Sequence, residues 1–397
     1  MRLWRGVAPA VLAMLAALGG AAAVQPRAAT LAPLESHTAQ LDTLRQQCIA
    51  AALAVQQRER TIGALDLAIS AMQNGVDSKN REIATSRTEQ EALLGALERL
   101  ALAPPEALVL APQGPIDRRR SAILMGAAVP ALSTRARELT GQLAALANVR
   151  GQLDTRRKEI DDARTALSKG RDTLAQLVAR RGALIGQMLH DDAKSAAPGQ
   201  IADQASDLFD LIKKADAAAE QRDKELLLRL KMLYTVPGKP APNLADPTKP
   251  KELRALDAPR AQMLWPASGE VIHRFGEADR NGRPSQGLAL QGLPGGLVVA
   301  PFDGRVDFAG RFQGYGLILI IRHPGGYHSL LAGLGRVDVA TGQWLLAGEP
   351  IGSLPDADDK GAGVTAYLEL RRDGRPVDPQ SRLGSRDQKT EDTRVRE

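Results

Sequence analysis

The chain has 397 residues and a formal net charge of +6, and aromatic residues make up only 3% of it. This length exceeds what one compact core usually holds, so we expect more than one structural unit. The charge excess is small, and Lys and Arg are not clustered with stacking aromatic residues, so we expect no nucleic-acid partner.

The first 23 residues have the composition of a secretory signal peptide. A short basic stretch precedes an apolar run that ends in small residues, and Ala21 and Ala23 fit an A-x-A cleavage site. The run is short for a membrane span, and a retained membrane anchor is the alternative to cleavage. We therefore expect a signal peptide at residues 1–23 and a periplasmic protein.

Residues 31–198 carry two series of apolar residues at intervals of seven. The first series runs from Leu34 to Leu97 and includes Cys48, the only cysteine of the chain, which we expect to pack in a helix core. The second series runs from Leu132 to Leu174. Such heptads are typical of coiled-coil helices, and a helix as long as the first series would extend for roughly 100 Å.

Prolines separate the two heptad series. The four prolines between positions 104 and 115 are incompatible with a helix interior. We therefore expect a tip near residues 103–131, with a short separate helix from Asp117 to Val129. Two helices of similar length joined by such a tip favour an antiparallel hairpin in which each helix buries its seam on the other. A homodimer paired through the same seam is the alternative.

Residues 199–235 form a separate amphipathic segment. Its first part has an apolar face at helical spacing, made of Ile201, Ala205, Leu208, Ile212 and Ala215. These helices either pack back on the hairpin or cover a groove on the C-terminal domain. For the second arrangement, the segment from Ile201 to Ala215 is the candidate cover.

A stretch rich in proline, residues 236–264, follows the amphipathic segment. It has no apolar periodicity, which predicts a linker that leaves the C-terminal domain tethered and partly free to move. At the other end of the C-terminal domain, residues 386–397 form a charged tail.

Residues 265–385 have the short apolar runs of a β domain. We expect two strands around the turn at Asp303-Gly304, two more around Pro324-Gly325-Gly326, and another strand that ends at Asp373-Gly374. Runs of this kind predict an all-β domain of about 120 residues.

Several stretches of this domain also resemble a known family, in the expected order: "GEVIHRFGE", "VVAPFDGRVDFAGRFQGYGLILIIRH", "DVATGQWLLAGEPIGS" and "YLELRRDGRPVDP". They look like the LytM domain, the fold of the M23 zinc endopeptidases that cut peptidoglycan crosslinks. With the signal peptide and the coiled coil, the chain resembles the family of murein hydrolase activators. The expected fold class is α+β multidomain, an antiparallel coiled-coil hairpin followed by an all-β LytM domain.

The resemblance also shows where zinc ligands would stand. Active members of the family take them from an H-x-x-x-D motif and from the second histidine of H-x-H, and further histidines assist. The first motif falls here on Ser285 to Ala289, the second on Tyr367 to Glu369, and an assisting histidine on Gly333. Serine is a poor ligand, alanine is none, and one glutamate cannot hold catalytic zinc. We therefore expect no metal cofactor and no enzyme activity.

The histidines offer no replacement for these ligands. His323 matches a family histidine outside the ligand set, and we interpret it as a structural hydrogen-bonding residue. His273 and His328 are expected at the surface or rim, because their spacing resembles no ligand pair. Ser285 has no local pattern of a general base beside it, so we expect no nucleophilic catalysis.

An LytM groove without zinc would remain a concave surface. We expect it to bind a partner helix through apolar anchors and charge pairs. Tyr367, Leu331 and Ala289 are expected along its floor, and Tyr315 and Arg371 near its rim. The predicted groove consists of Ser285, Gln286, Ala289, Tyr315, Leu331, Gly333, Tyr367, Glu369 and Arg371.

The resemblance implies particular partners. Activators of this kind bind N-acetylmuramyl-L-alanine amidases, displace an inhibitory helix from the amidase zinc, and are themselves masked by a helix of their own chain. Their coiled coil docks onto FtsX of the FtsEX complex at the division septum. Direct contact with peptidoglycan is a further expectation. The alternatives are a structural peptidoglycan-binding division protein and an active M23 zinc endopeptidase.

Overall fold

A computed structural model describes residues 32–101, 115–189, 198–234, 246–278, 282–356 and 364–385. The predicted signal peptide, part of the hairpin tip and the charged tail lie outside these ranges. Within them, no helix has an apolar stretch long enough to cross a membrane.

Two long helices form the N-terminal half, α1 (Ala32–Ala101) and α2 (Pro115–Leu189). They run antiparallel, because residues late in α2 contact residues early in α1. Three cross-helix pairs show this direction: Arg171 with Glu59 at 2.8 Å, Arg164 with Asp66 at 3.3 Å, and Arg150 with Asn80 at 3.1 Å. The predicted hairpin is confirmed, and its seam pairs within one chain.

The heptad positions form the seam of the hairpin. Cys48 is fully buried, as predicted. The other buried heptad residues are Leu41, Val55, Ile62 and Ile83 of α1 and Leu146, Leu153, Ile160, Leu167 and Leu174 of α2. The seven-residue spacing of apolar side chains therefore predicts the contacts of both helices.

The predicted separate helix at the tip is wrong. Residues 117–129 belong to α2, which continues through Pro130 without a break. This proline is exposed, and its carbonyl accepts hydrogen bonds from the side chains of Ser133 and Thr134 at 2.8 and 3.0 Å. A single missing N–H in a long helix is tolerated here, because the neighbouring turns keep their hydrogen bonds.

The C-terminal domain contains two antiparallel sheets. The larger has the order β1-β2-β10-β6-β5-β4-β8 with β11 beside β10, and the smaller has the order β3-β9-β7. The strands are β1 (Gly269–His273), β2 (Leu288–Gly292), β3 (Leu297–Val299), β4 (Gly304–Phe312), β5 (Gly316–His323), β6 (Tyr327–Leu334), β7 (Arg336–Val337), β8 (Trp344–Leu345), β9 (Pro350–Ser353), β10 (Val364–Arg372) and β11 (Arg375–Val377). The main core lies where the inner faces of the two sheets meet, with Leu319 and Leu368 from one and Val298 and Ile351 from the other.

Two of the three predicted turns join paired strands. The turn at Pro324-Gly325-Gly326 connects β5 and β6, and Asp373-Gly374 connects β10 and β11. Asp303-Gly304 does not form a hairpin, since the strands on either side of it, β3 and β4, lie in different sheets. The Asp303 carboxylate instead accepts hydrogen bonds from Arg254 and from the backbone N–H of Ala347.

The described part of the predicted linker, residues 246–264, is not a free linker. From Asp246 onward it packs on the C-terminal domain, where Leu256 and Met263 are completely buried. The Asp246 carboxylate also accepts a 2.8 Å hydrogen bond from Trp344 Nε1. Burial of these apolar side chains stabilises the packed arrangement and offsets the conformational entropy lost by the chain. Residues 246–264 are therefore fixed to the domain.

The base of the hairpin also contacts the domain. The side chain of Glu59 accepts a 2.9 Å hydrogen bond from the backbone N–H of Leu297, and Ser268 Oγ donates to the carbonyl of Gln56. These contacts attach α1 to the smaller sheet, so the domain is not simply tethered to the hairpin.

Candidate partner-binding groove

One face of the larger sheet collects most of the predicted groove residues. Strand register places Ala289, Tyr367 and Ala332 side by side on β2, β10 and β6. Because alternate residues of a strand point to the same face, Glu369 and Arg371 lie on the same side as Tyr367.

A network of hydrogen bonds and one ion pair links these side chains. Tyr367 Oη donates to Glu369 Oε2 at 3.1 Å, and Arg371 Nε donates to Glu369 Oε1 at 2.5 Å. Arg371 also donates to Gln286 Oε1 at 3.1 Å and to the carbonyl of Gly374 at 3.1 Å. Both oxygens of the buried Glu369 carboxylate are therefore engaged by neighbouring side chains.

Burial dominates the electrostatics of this network. It raises the pKa of Glu369, while the Arg371 guanidinium acts in the opposite direction. It also raises the pKa of Tyr367, and the adjacent Glu369 carboxylate adds to the effect. Tyr367 thus remains a neutral hydrogen-bond donor at any physiological pH.

The residues at the family's zinc positions do not fit zinc. Ser285 Oγ donates to the carbonyl of Gly287 at 2.9 Å, and Ala289 offers only a methyl group. The Glu369 carboxylate is the one remaining candidate ligand at these positions. It is already paired with the Arg371 guanidinium, whose positive charge opposes the binding of a cation there. Catalytic zinc requires three protein ligands, and this donor set does not supply them.

Tyr315, which was expected at the rim of the groove, lies beside Phe312 of the same sheet face. Its side chain is 39% exposed, and its ring stacks on Phe312 with ring centroids 6.2 Å apart. Partial burial raises the pKa of Tyr315, and the charge of Glu369 adds to this effect.

The prediction that Leu331 lies on the groove floor is wrong. Leu331 is 1% exposed and packs in the core between the two sheets, opposite Leu368. Its neighbours Leu330 and Ala332 face the groove side instead. The reason is the two-residue period of a strand, in which a shift of one position reverses the face.

Gly333 contributes backbone rather than side-chain surface. Its φ is +76°, and a Cβ added there would lie 2.2 Å from the carbonyl oxygen of Thr365. The pairing of β5 with β6 is irregular at this point, between Leu317 and Leu319. A histidine is sterically excluded from this backbone, so the position cannot supply the assisting histidine of the family.

Two helices cover this face of the sheet, α3 (Pro198–Gln204) and the first part of α4 (Leu208–Tyr234). Residues 201–215 pack on the C-terminal domain, so of the two arrangements considered above the covering one is observed for this segment. The contact consists of Ala202, Ala205, Leu208, Leu211, Ile212 and Ala215 from the helices and Phe308, Phe312, Ile318, Ile320, Leu330 and Ala332 from the sheet, with Ile201 and Tyr367 at its edge.

The first turn of α4 also reaches the end of the Arg371 network. A Cβ at Gly374 would lie 2.3 Å from Cε2 of Phe209, so the Phe209 ring packs directly on this glycine. The carbonyl of Gly374 accepts a hydrogen bond from Arg371. We call residues 201–215 the cover segment, because they bury the apolar part of the groove face.

The three histidines of the domain differ in environment. His273 is exposed, as predicted. His323 is a structural residue, with ring nitrogens 2.9 Å from the Asp303 carbonyl oxygen and 2.7 Å from Ser329 Oγ. His328 was expected at the surface or rim, but it is only 8% exposed and lies under α4.

Sequence reasoning missed a polar cluster around His328. Its Nε2 lies 3.1 Å from Asp216 Oδ1 of α4 and 3.9 Å from Asp307 Oδ2 of β4. Burial raises the pKa of Asp307 to about 8. The sequence pattern places Asp216 one helical turn after Ile212 and His328 on the same strand face as Leu330, but it does not show that these two faces meet.

Comparisons with known proteins agree with the motifs. Residues 283–379 match the sequence model of Peptidase family M23. Over 232 residues the chain is 28% identical to murein hydrolase activator EnvC of Escherichia coli, with 58% of this chain and 51% of that protein aligned. It is 29% identical to murein hydrolase activator NlpD of Salmonella dublin over 42% of this chain and 43% of that protein.

Residues 283–379 of the C-terminal domain therefore resemble Peptidase family M23, and the sequence resemblance to murein hydrolase activators is confirmed. The chain spans about half the length of EnvC and less of NlpD. Among solved structures, a zinc containing peptidase from Vibrio cholerae is 22% identical, with 32% of this chain and 40% of that chain covered and a TM-score of 0.27.

Proposed function

We propose that the chain is a non-catalytic periplasmic activator of N-acetylmuramyl-L-alanine amidases in cell division and daughter-cell separation. The names of its relatives support this role, since both are murein hydrolase activators. The predicted signal peptide supports the location.

One observation carries the proposal. The sheet face that bears the family's zinc positions holds the Tyr367–Glu369–Arg371 network instead, and helices of the same chain cover it. A hydrolase needs this face open to substrate and supplied with metal ligands. A regulated binding surface needs an apolar strip, a fixed charge and a removable cover. The strip, the Arg371 charge and a covering helix support this role, and we propose that the cover is removable.

The proposed mechanism is an exchange of helices. The cover segment occupies the apolar strip in the closed state, and the inhibitory helix of the amidase occupies it in the active complex. Since one strip cannot hold both, the apparent affinity for the amidase is reduced by the fraction of molecules that are closed. The chain can shift the amidase toward its open state only if the inhibitory helix binds the groove more tightly than it binds the amidase active site. The size of the shift is limited by this difference in affinity.

The coiled-coil hairpin is the part of the chain that we propose controls the change from the closed to the open state. We propose that it docks onto the periplasmic part of FtsX in the FtsEX complex at the septum, and that docking shifts the chain toward its open state. The contacts between the hairpin base and the C-terminal domain provide a physical connection for this shift.

Release of dye from labelled sacculi tests the proposal, using the full chain without its predicted signal peptide and the amidase from the same organism. Leu211→Glu places a charge in the buried contact of the cover segment, where the native side chain is 0% exposed. We expect this variant to activate the amidase more strongly than the wild type. Leu228→Glu is the matched control, since Leu228 lies on the same helix but is 56% exposed.

Other outcomes of this assay would favour the rival functions. Dye release by the chain alone that a chelator abolishes would indicate an active endopeptidase and overturn the proposal. Sedimentation with sacculi but no activation, even by Leu211→Glu, would favour a structural peptidoglycan-binding protein.

A further inference from the structure

Three side chains that can ligate a metal meet where α4 crosses the larger sheet. They are Asp216 of α4, Asp307 of β4 and His328 of β6, and one ligand atom of each lies within 4.8 Å of the others. The site is separate from the family's zinc positions, because its residues come from other strands and from the cover helix.

The spacing of these atoms suits one ion. His328 Nε2 lies 3.1 Å from the nearer Asp216 oxygen and 3.9 Å from the nearer Asp307 oxygen. Zinc binds nitrogen and oxygen at about 2.0–2.2 Å, which places the ligands of one ion roughly 3–3.5 Å from each other. Small rotations of the side chains would therefore bring all three into contact with a shared cation.

Asp307 gives an independent reason to expect a ligand. Its side chain is 1% exposed, and neither of its carboxylate oxygens has a hydrogen-bond partner among the described residues. Arg322 Nε lies 3.1 Å from Oδ2, outside hydrogen-bond geometry, and the Arg322 side chain is 30% exposed. A buried carboxylate without hydrogen bonds is costly, so this group must either hold a proton or coordinate a cation, which would satisfy its oxygens.

Arg322 lies beside both carboxyl groups, and Arg222 and Arg305 also act on Asp307, so the net charge of the surroundings does not by itself favour a cation. The types of the three ligands limit the choice of ion. Imidazole favours metals such as zinc, whereas carboxylates favour harder cations such as manganese. Three protein ligands also leave coordination positions for water or for an incoming group.

We propose that Asp216, Asp307 and His328 bind one divalent cation of the Zn²⁺ or Mn²⁺ type, which fastens the cover helix α4 to the sheet. Cation binding is inferred from the geometry alone. The effect on the cover segment rests on the proposed function, because Asp216 follows Ala215, the last residue of that segment.

Titration calorimetry of the tag-free, chelator-treated full chain tests the binding, with Zn²⁺ and Mn²⁺ added separately. We expect one ion per chain and a rise of the unfolding temperature with the ion bound. Asp307→Asn and His328→Gln should each weaken binding by more than about tenfold. His273→Gln is the matched control, since this exposed histidine lies outside the cluster and should leave binding unchanged.

A third cluster variant distinguishes loss of cation binding from misfolding. Asp216→Asn changes a side chain that is 33% exposed, so it should keep the fold and still lose binding. Binding that persists in all three cluster variants, or no saturable binding by the wild type, would overturn the site. So would a result in which Asp307→Asn stabilises the chain and cations have no effect on the wild type, because the two carboxylates would then share a proton.

The sacculus assay separates the site from its consequence. We expect a saturating cation to lower amidase activation by the wild type but not by Asp216→Asn. If the cation binds as described and activation does not change, the fastening of the cover is overturned while the binding site stands. Failure of the proposed function is distinguishable, since no variant would then activate the amidase.

Discussion

Arg181 Nη1 of α2 lies 2.5 Å from Oε2 of Glu349, and the two side chains are 1% and 0% exposed. Arg45 of α1 approaches the other oxygen of the same carboxylate, with its Nε 3.4 Å from Oε1. Glu349, just before β9, thus joins both helices of the hairpin to the C-terminal domain. Any change in the spacing of the two helices must alter this ion pair or move the loop that carries Glu349.

Glu349→Ala should destabilise the chain by about 3–5 kcal/mol, because it leaves the buried Arg181 guanidinium without a counter-charge and leaves Arg45 with Asp42 as its remaining acidic partner. Urea unfolding followed by far-UV circular dichroism measures the loss. Glu82→Ala is the control, since it removes an exposed pair with Lys79 and should cost under about 1 kcal/mol. Equal effects of the two substitutions would mean that the buried pair is not structural.

Gly333→Ala should cost more stability than Gly314→Ala. The two glycines have similar φ angles, +76° and +75°, so the left-handed backbone costs each alanine about 1–2 kcal/mol. At Gly314 a Cβ meets nothing within 4 Å, whereas at Gly333 it meets the Thr365 carbonyl oxygen at 2.2 Å. We expect a further ~1–3 kcal/mol at Gly333. Similar unfolding midpoints for the two variants would contradict the close approach of β6 and β10.

His323 should make stability depend on pH. Burial lowers the pKa of this imidazole from 6.5 to about 4. Between pH 6.5 and pH 4 the imidazole binds a proton in the unfolded chain but stays neutral in the folded chain. The free energy of unfolding therefore falls as the pH drops through this interval, by about 3 kcal/mol in all. Above pH 6.5 the residue has no such effect, since it is neutral in both states.

Unfolding of the domain by urea, followed by the fluorescence of Trp265 and Trp344, measures this dependence across the pH interval. His323→Gln should flatten the profile, because glutamine does not titrate. His273→Gln should leave it unchanged, since that histidine is exposed. A profile of His323→Gln as steep as that of the wild type would assign the dependence to other groups.

Tyr315→Ala should weaken amidase activation and leave the unfolding temperature nearly unchanged. Tyr315 is 39% exposed at the rim of the groove, so truncation removes contact surface without opening the core. Ile272→Ala is a control of the same exposure, 39%, on β1. Activation that drops equally in both variants would argue against the groove as the binding surface. The dose of chain needed for half-maximal dye release is the quantity to compare.

The sequence predicted those features whose signal is local or periodic. The heptads predicted the hairpin, because a residue seven positions on returns to the same side of a coiled-coil helix. The short apolar runs and the family motifs predicted the β domain. These conclusions needed only the identity and spacing of residues along the chain.

The tertiary structure decided which distant residues meet. The face of β6 on which Leu331 lies depends on its pairing with β5 and β10, and a shift of one residue reverses it. Residues 246–264 are fixed because Leu256 and Met263 are buried in a cluster that only the folded domain provides. The meeting of Asp216 with Asp307 and His328 joins three separate elements, and no spacing along the chain encodes it.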